Sequence, residues 1–181
     1  MNYFFSADTH FGHANIIRYC QRPFQNIKEM DRIIIRKFNE RIKENDILFM
    51  IGDFCFKKSS EASDSKKKAY NYYKEQLKCK NIIFIKGNHD KNNSTKTIIE
   101  RLVIGYGDKR INLVHNPEFA DVNYEINFTG HVHNKWEIKR VKRGWQFTDC
   151  INVGVDVFNF YPVRFEEIMK RYIQWKKRGL K

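Results

Sequence analysis

The segment Ile82-Ile83-Phe84-Ile85-Lys86-Gly87-Asn88-His89-Asp90 decides how this chain is read. Its four leading residues are all β-branched or aromatic, too short a run for a helix but well suited to a buried strand, and Gly-Asn stops that strand in a turn. The strand therefore delivers Asn88, His89 and Asp90 to its carboxyl end. The pattern recurs along the chain. Tyr3 to Ala7 runs into Asp8-Thr9-His10, Ile47 to Ile51 into Gly52-Asp53, Ile111 to Val114 into His115, and Ile126 to Phe128 through Thr129 into Gly130-His131-Val132-His133. Ligand sites of open α/β sheets lie beyond the carboxyl ends of the strands, so these groups converge on one edge.

Helical patterns separate the strands. Asn26 and Glu29 form an Asn-x-x-Glu box ahead of Met30, Ile34, Phe38 and Ile42, the stripe of a long amphipathic helix. Ala69, Tyr73 and Leu77 mark a second helix after the polar loop Lys57 to Asp64, and a weaker third is expected from about Thr95 to Leu102. Alternating strands and helices predict an α/β fold with a largely parallel sheet. After Asn123 the pattern changes to strands at Trp136 to Val141, Trp145 to Thr148 and Ile151 to Val155. A last helix carries Phe165, Ile168, Met169, Tyr172 and Ile173 and stops near Gly179. No linker interrupts residues 1–181, which read as a single domain.

The 181 residues are 41% hydrophobic and 15% aromatic, enough for a core and against intrinsic disorder. Lys and Arg exceed Asp and Glu by 34 to 21, a formal charge of +13. That surplus suits a polyanionic partner, nucleotide or nucleic acid, but abundant Lys, Ile and Asn also mark AT-rich codon usage. No apolar run is long enough to span a bilayer and no signal peptide opens the chain, so a cytoplasmic protein without membrane partners is expected. Cys20, Cys55, Cys79 and Cys150 form no CxxC pair and read as free thiols in or near the core.

The polar edge has the composition of a metal site. Several imidazoles beside carboxylates suit first-row divalent ions rather than calcium or magnesium. On extended backbone, Asp8-x-His10 and His131-x-His133 each place two side chains on one face. With Asp53, Asn88 and His115 the donors exceed what one ion uses, which favours two ions, spaced about 3.5 to 4 Å in sites that clamp a phosphoryl group during in-line displacement. Singly these motifs are weak: Gly52-Asp53 is a common turn, and Gly130 to His133 alone fits a mononuclear site. Their order, each after a strand, is what carries weight.

Asp8-x-His10, Gly52-Asp53, Gly87-Asn88-His89-Asp90, His115 and Gly130-His131-x-His133 together resemble the ordered signature of the calcineurin-like metallophosphoesterase superfamily. The segment Asp8 to His13, Arg22-Pro23-Phe24 and Asn152-Val153-Gly154-Val155-Asp156 resemble its small, cap-less bacterial and phage members. The resemblance implies a four-layer sandwich of two mixed β-sheets flanked by helices. It also implies a dinuclear, metal-dependent phosphoesterase that cleaves phosphomonoesters or phosphodiesters by attack of a metal-held hydroxide. Asp8, His10, Asp53 and His133 resemble the ligands of one ion, and Asp53, Asn88, His115 and His131 those of the other, with Asp53 bridging. His89 matches the non-ligand catalytic histidine at the leaving group. Manganese is the expected metal, with iron, zinc, cobalt or nickel as alternatives. Phe54-Cys55-Phe56 after Gly52-Asp53 departs from the protein phosphatase branch, which carries Asp-Arg-Gly there.

Around this set, His13 reads either as a substrate contact or as a surface-loop histidine. Arg22 is expected to bind substrate phosphate through its two-pronged guanidinium. Asp90 either orients a histidine or caps a turn, and Trp136 and Trp145 read as edge or core aromatics before nucleobase platforms. A nucleotide or small phosphoester is the expected substrate. A nuclease acting on DNA or RNA, and a non-catalytic metal-binding module, remain the alternatives.

Overall fold

Phe4 and Phe5 point to opposite sides of the first strand, and this alternation builds both halves of the core. The computed structural model describes residues 1–56, 69–90 and 97–179. The first sheet has the order β3-β2-β1-β9, with β1 (Tyr3–Ser6), β2 (Ile47–Ile51) and β3 (Asn81–Ile85) parallel and β9 (Val163–Arg164) antiparallel. The second has the order β4-β5-β6-β8-β7. In it β5 (Lys109–Val114), β6 (Ile126–Thr129) and β8 (Gln146–Asn152) are parallel, and β4 (Arg101–Tyr106) and β7 (Ile138–Arg143) are antiparallel edges. Two mixed sheets flanked by helices is the architecture that the resemblance implies.

One face of the first sheet, Phe4, Leu48 and Met50, packs on helices α1 (Ala14–Tyr19), α2 (Ile27–Arg41) and α3 (Ala69–Gln76) through Ile16, Met30, Ile34, Phe38 and Tyr73. The Asn26 side chain caps α2 by accepting from the Glu29 N–H at 3.0 Å, as the sequence predicts. The opposite face, Phe5, Phe49, Ile51 and Ile85, meets Ile111, Leu113, Ile126, Phe128 and Ile151 of the second sheet, joined by Phe165, Ile168 and Tyr172 of α4 (Phe165–Lys177). Phe5 lies at the centre of that interface, stacked on Phe49 and edge-on to Phe128, both at 5.1 Å. The other face of the second sheet carries a polar ladder. Asn112 Nδ2 donates to Asn127 Oδ1 at 2.7 Å, and Asn127 Nδ2 donates to Thr148 Oγ1 at 2.6 Å, all three residues buried.

Two elements differ from expectation. The segment read as a helix to Leu102 leads instead into strand β4, whose Leu102, Ile104 and Tyr106 face the core in alternation and which pairs with β5 across a Gly107-Asp108 hairpin. Trp145 to Thr148 and Ile151 to Val155 are not separate strands: β8 runs unbroken from Gln146 to Asn152. Asp149, in the gap between the two expected strands, is a buried residue of β8, where Arg140 donates to it twice, at 2.7 and 2.9 Å, and Tyr172 once, at 2.7 Å. Trp145, at the β7–β8 turn, is 94% exposed rather than a core or edge aromatic. All four cysteines are free and buried, and no helix among the described residues is long and apolar enough to cross a membrane. The loop Lys57 to Asp64 lies outside the described residues.

Truncating Phe128 removes the ring that Phe5 packs against, so Phe128→Ala is expected to cost about 3–5 kcal/mol. Urea unfolding measures this; a loss below 1 kcal/mol contradicts the placement of this ring at the centre of the sheet interface.

Candidate metal centre

The carboxyl ends of β1, β2, β3, β5 and β6 open on one edge, and each supplies part of a single cluster. Asp8, His10, Asp53 and His115 form its buried floor; Asn88 and His89 are exposed at its rim, with His13, His131 and His133 half-buried between. Asp53 Oδ2 lies between two imidazoles, 3.5 Å from His10 Nε2 and 3.3 Å from His115 Nε2. Asp8 Oδ1 stands 3.9 and 4.0 Å from the same two nitrogens. Asp8, His10 and His133 each bring one donor atom within 4.8 Å of the others, and so do Asp8, Asp53 and His115. Asn88 Oδ1 completes the second group, 3.0 Å from His115 Nε2 and 2.9 Å from His131 Nδ1.

The backbone that presents these groups is not extended. Asp8, His10, Asp53, His131 and His133 all have left-handed backbones, with φ of 58°, 50°, 53°, 71° and 51°. The two Asp-x-His and His-x-His pairs thus reach the site from kinked loops, not from one face of a strand. Asp and His tolerate this region better than most residues, but each such position still costs on the order of 1–3 kcal/mol. Local bonds hold the loops there: Asp8 N–H to Gly52 O at 3.1 Å, His10 N–H to Asp53 O at 3.0 Å, and His131 N–H to the Asp8 carboxylate at 2.9 Å. Gly87 permits the closest approach, since a Cβ there would lie 2.1 Å from Asp53 Oδ1.

Arg22 is not at the substrate face. It is 4% exposed, and its donors are committed inside the protein. Nε and Nη2 grip Asp156 at 2.8 and 2.9 Å, Nη2 also reaches Asp8 O at 2.7 Å, and Nη1 reaches Thr9 O at 3.1 Å and Met30 Sδ at 3.4 Å. No N–H remains for a phosphate, so the expectation for Arg22 is corrected: it clamps the Asp8 loop. Asp156, absent from the sequence-derived set, pairs with His133 Nδ1 at 3.1 Å and so orients the imidazole that groups with Asp8 and His10, a carboxylate–histidine support typical of metal ligands. Asn152 donates to His133 O at 2.7 Å and accepts from Gly154 N–H at 2.8 Å. The signal for both residues was the segment Asn152 to Asp156, quoted only as part of the resemblance. Asp90 caps a turn: one oxygen accepts from Gly87 N–H at 2.7 Å and from Asp53 N–H at 3.1 Å, tying two loops together.

The electrostatics fit bound cations. His115 Nδ1 faces the Ile51 carbonyl at 2.8 Å, an acceptor only, so Nδ1 carries the proton and a neutral His115 turns its Nε2 lone pair onto Asp53, Asp8 and Asn88 oxygens. Only a positive charge reconciles that arrangement. Burial opposes charge on His115, yet the hydrogen bond with Asp53 and the carboxylates of Asp8 and Asp53 prevail and raise it to about 9. His133 likewise rises to about 10, where its bond to Asp156 outweighs burial. Burial pushes Asp8 up to about 6 against the pull of His115 and His133. For Asp53, burial is outweighed by the His115 hydrogen bond and charge, which hold it low. His10 is driven down by burial, and its buried Nε2 has no hydrogen-bond partner among the described residues. An orphaned imidazole nitrogen and donor spacings of 2.9–4.0 Å, within the roughly 3 to 4.2 Å between ligands of an octahedron with about 2.1 Å bonds, suit a divalent transition metal.

The pattern of strand ends and donors has a known counterpart. The model of the calcineurin-like phosphoesterase family matches residues 1–173, and the chain belongs to that family. It is similar to uncharacterized protein MJ1445 of Methanocaldococcus jannaschii, 36% identical over 170 residues that cover 91% of this chain and 87% of that protein. Its fold is similar to that of AQ665, a protein of unknown function from Aquifex aeolicus, with a TM-score of 0.67, 23% identity and coverage of 93% and 98% of the two chains.

Two predictions come from this geometry. Arg22→Gln removes the guanidinium that grips both oxygens of the buried Asp156 and leaves it His133 alone, so stability falls by about 3–5 kcal/mol in urea unfolding and metal affinity falls with it; a change confined to KM contradicts the clamp. With a chelator present, the stability contributed by protonated His115 and His133 is complete below about pH 6.5 and lost as pH rises through their folded values of about 9 and 10. Urea midpoints at pH 6.5, 8 and 9.5 measure that decline, and saturating manganese removes it because the coordinated imidazoles are already deprotonated.

Proposed function

We propose that the protein hydrolyses phosphoesters at a centre of two divalent transition-metal ions, manganese first among them. One observation carries this reading: two donor sets share the Asp53–Asp8 floor, with Asp53 Oδ2 within 3.5 Å of imidazoles from both sets. In the proposed assignment Asp8, His10, Asp53 and His133 hold one ion, and Asp53, Asn88, His115 and His131 the other. When bound, such ions neutralise phosphoryl oxygens and supply hydroxide near neutral pH.

The protein's own groups do the rest. Asp53 keeps both sets in register through its backbone bonds: Oδ1 accepts from His89 N–H at 3.0 Å and its own N–H is held by Asp90. Asp156 fixes the tautomer of His133, and the Ile51 carbonyl fixes that of His115. His89, its ring 5.4 Å from that of His10, stands at the rim where the leaving oxygen emerges, and an imidazole N–H there stabilises the charge that develops on it. His13, stacked on Phe56 at 4.6 Å with its ring 5.5 Å from His10, lies beside the same approach and offers a second polar contact to phosphoryl oxygens.

The test is hydrolysis of an aryl phosphomonoester and an aryl phosphodiester by the manganese-loaded protein. Asp53→Asn is expected to lose metal and all turnover; two retained ions with normal rates overturn the shared-carboxylate assignment. His89→Ala is expected to keep its metal and slow poor leaving groups by roughly 10²–10⁴-fold. Loss of metal in that variant makes His89 a ligand instead. Inactivity of the wild type with every first-row metal sinks the enzymatic reading.

A further inference from the structure

We propose that the cavity beside Asn88 and His115 is the subsite for the organic part of the substrate, and that it takes a nucleotide carrying a second phosphoryl group. The proposal rests on the phosphoesterase reading above and extends it to a substrate class. The cavity, about 440 Å³, lies between the loop after β3, the start of β4 and the one-turn helix Pro117–Phe119. Asn88 and His115 form its inner wall, so a phosphoryl group held at the metal centre projects its substituent into it. The volume suits a small molecule of nucleotide size and not a duplex.

Three side chains give the wall its chemistry. Phe119 is 62% exposed at the cavity and has no ring partner among the described residues, a face on which a planar base can stack. Arg101, its side chain 57% exposed, has its nearest carboxylate, Asp121, at 4.0 Å, too far for a tight fork, which leaves the guanidinium able to take an anion. Lys86 contacts Glu100 at 3.2 Å, but the Glu100 side chain is 75% exposed, and such surface pairs are worth about 0–1 kcal/mol and exchange readily for a phosphate. A purely apolar substituent leaves both cations unanswered, and a sugar phosphate leaves Phe119 uncovered. A base with a second phosphate answers all three.

The test is calorimetric titration of the manganese-loaded protein with ADP, adenosine 3′,5′-bisphosphate, AMP and adenosine, where turnover appears as steady heat separable from binding. At least one two-phosphate nucleotide is expected to bind about tenfold tighter than AMP, and which one does so tells whether the second anion sits on the same arm or across the ribose. Phe119→Ala is expected to weaken nucleotide binding about tenfold, the scale of one lost base stack. Arg101→Gln is expected to erase the advantage over AMP. Both variants should keep wild-type manganese content and a wild-type urea midpoint. Equal affinity for ADP, the bisphosphate and AMP, or variants that bind as the wild type does, overturns the subsite while aryl diester hydrolysis keeps the phosphoesterase reading standing. Nucleotide binding with the expected variant losses but no hydrolysis of any ester supports the subsite and overturns the enzymatic reading.

Discussion

The buried pair of Arg22 and Asp156 is the interaction on which the rest of the site depends. A guanidinium and a carboxylate sealed from water are costly unless each is fully engaged, and here they are. Arg22 holds the carbonyls of Asp8 and Thr9 as well as both oxygens of Asp156, and Asp156 passes the restraint on to His133. One ion pair thereby links the end of β1 to the loop after β6 and the segment after β8, both more than a hundred residues further along the chain. Burial alone pushes Asp156 upward, yet the His133 hydrogen bond and the charge of Arg22 hold it below the usual carboxylate range.

That restraint matters because the donors sit on strained backbone. Five of the candidate ligands are left-handed, and a sheet edge does not impose such conformations by itself. The cross-loop bonds among Asp8, Asp53, His131 and their neighbours hold them in place, and the glycines at positions 52 and 87 let the loops approach so closely that a methyl group would collide with His115 or Asp53. Preorganised donors of this kind pay their electrostatic cost during folding. The crowding of carboxylates, raised histidine pKa values and an orphaned His10 nitrogen records that cost.

Much of this was legible in the chain itself. A strand end announces itself by an apolar run breaking into Gly, Asp, Asn or His, so the placement of Asp8, Asp53, Asn88, His115 and His131 on one edge follows from the runs that precede them. What sequence pattern does not carry is tertiary compensation. Asp149 falls between the two strands expected from the pattern, and only Arg140 and Tyr172, on other elements, make a carboxylate acceptable inside the single strand that forms. Arg22 looks like an anion receptor because nothing local reveals that Asp156, far along the chain, has taken its fork. The left-handed backbones are hidden for the same reason: Asp and His permit them but do not announce them. β4 is a different case, since Leu102, Ile104 and Tyr106 alternate in plain view, the period of a strand and not of the helix expected to reach Leu102.

The ladder of Asn112, Asn127 and Thr148 sits on the face of the second sheet away from Phe5 and Phe128 and touches none of the chemistry. It nevertheless acts as a levelling mark. Its hydrogen bonds close with Asn112 level with Asn127 and Thr148 two residues below that level on β8, and a slip of one residue would turn these polar side chains into the apolar interface. In that register His115 lies three residues beyond Asn112, His131 four beyond Asn127 and Asn152 two beyond Cys150. At roughly 3.3 Å per residue, three strands built separately along the chain therefore end within about two residues' rise of one another. The alignment of the reactive edge thus leans on three uncharged side chains set three or four residues back along the same strands.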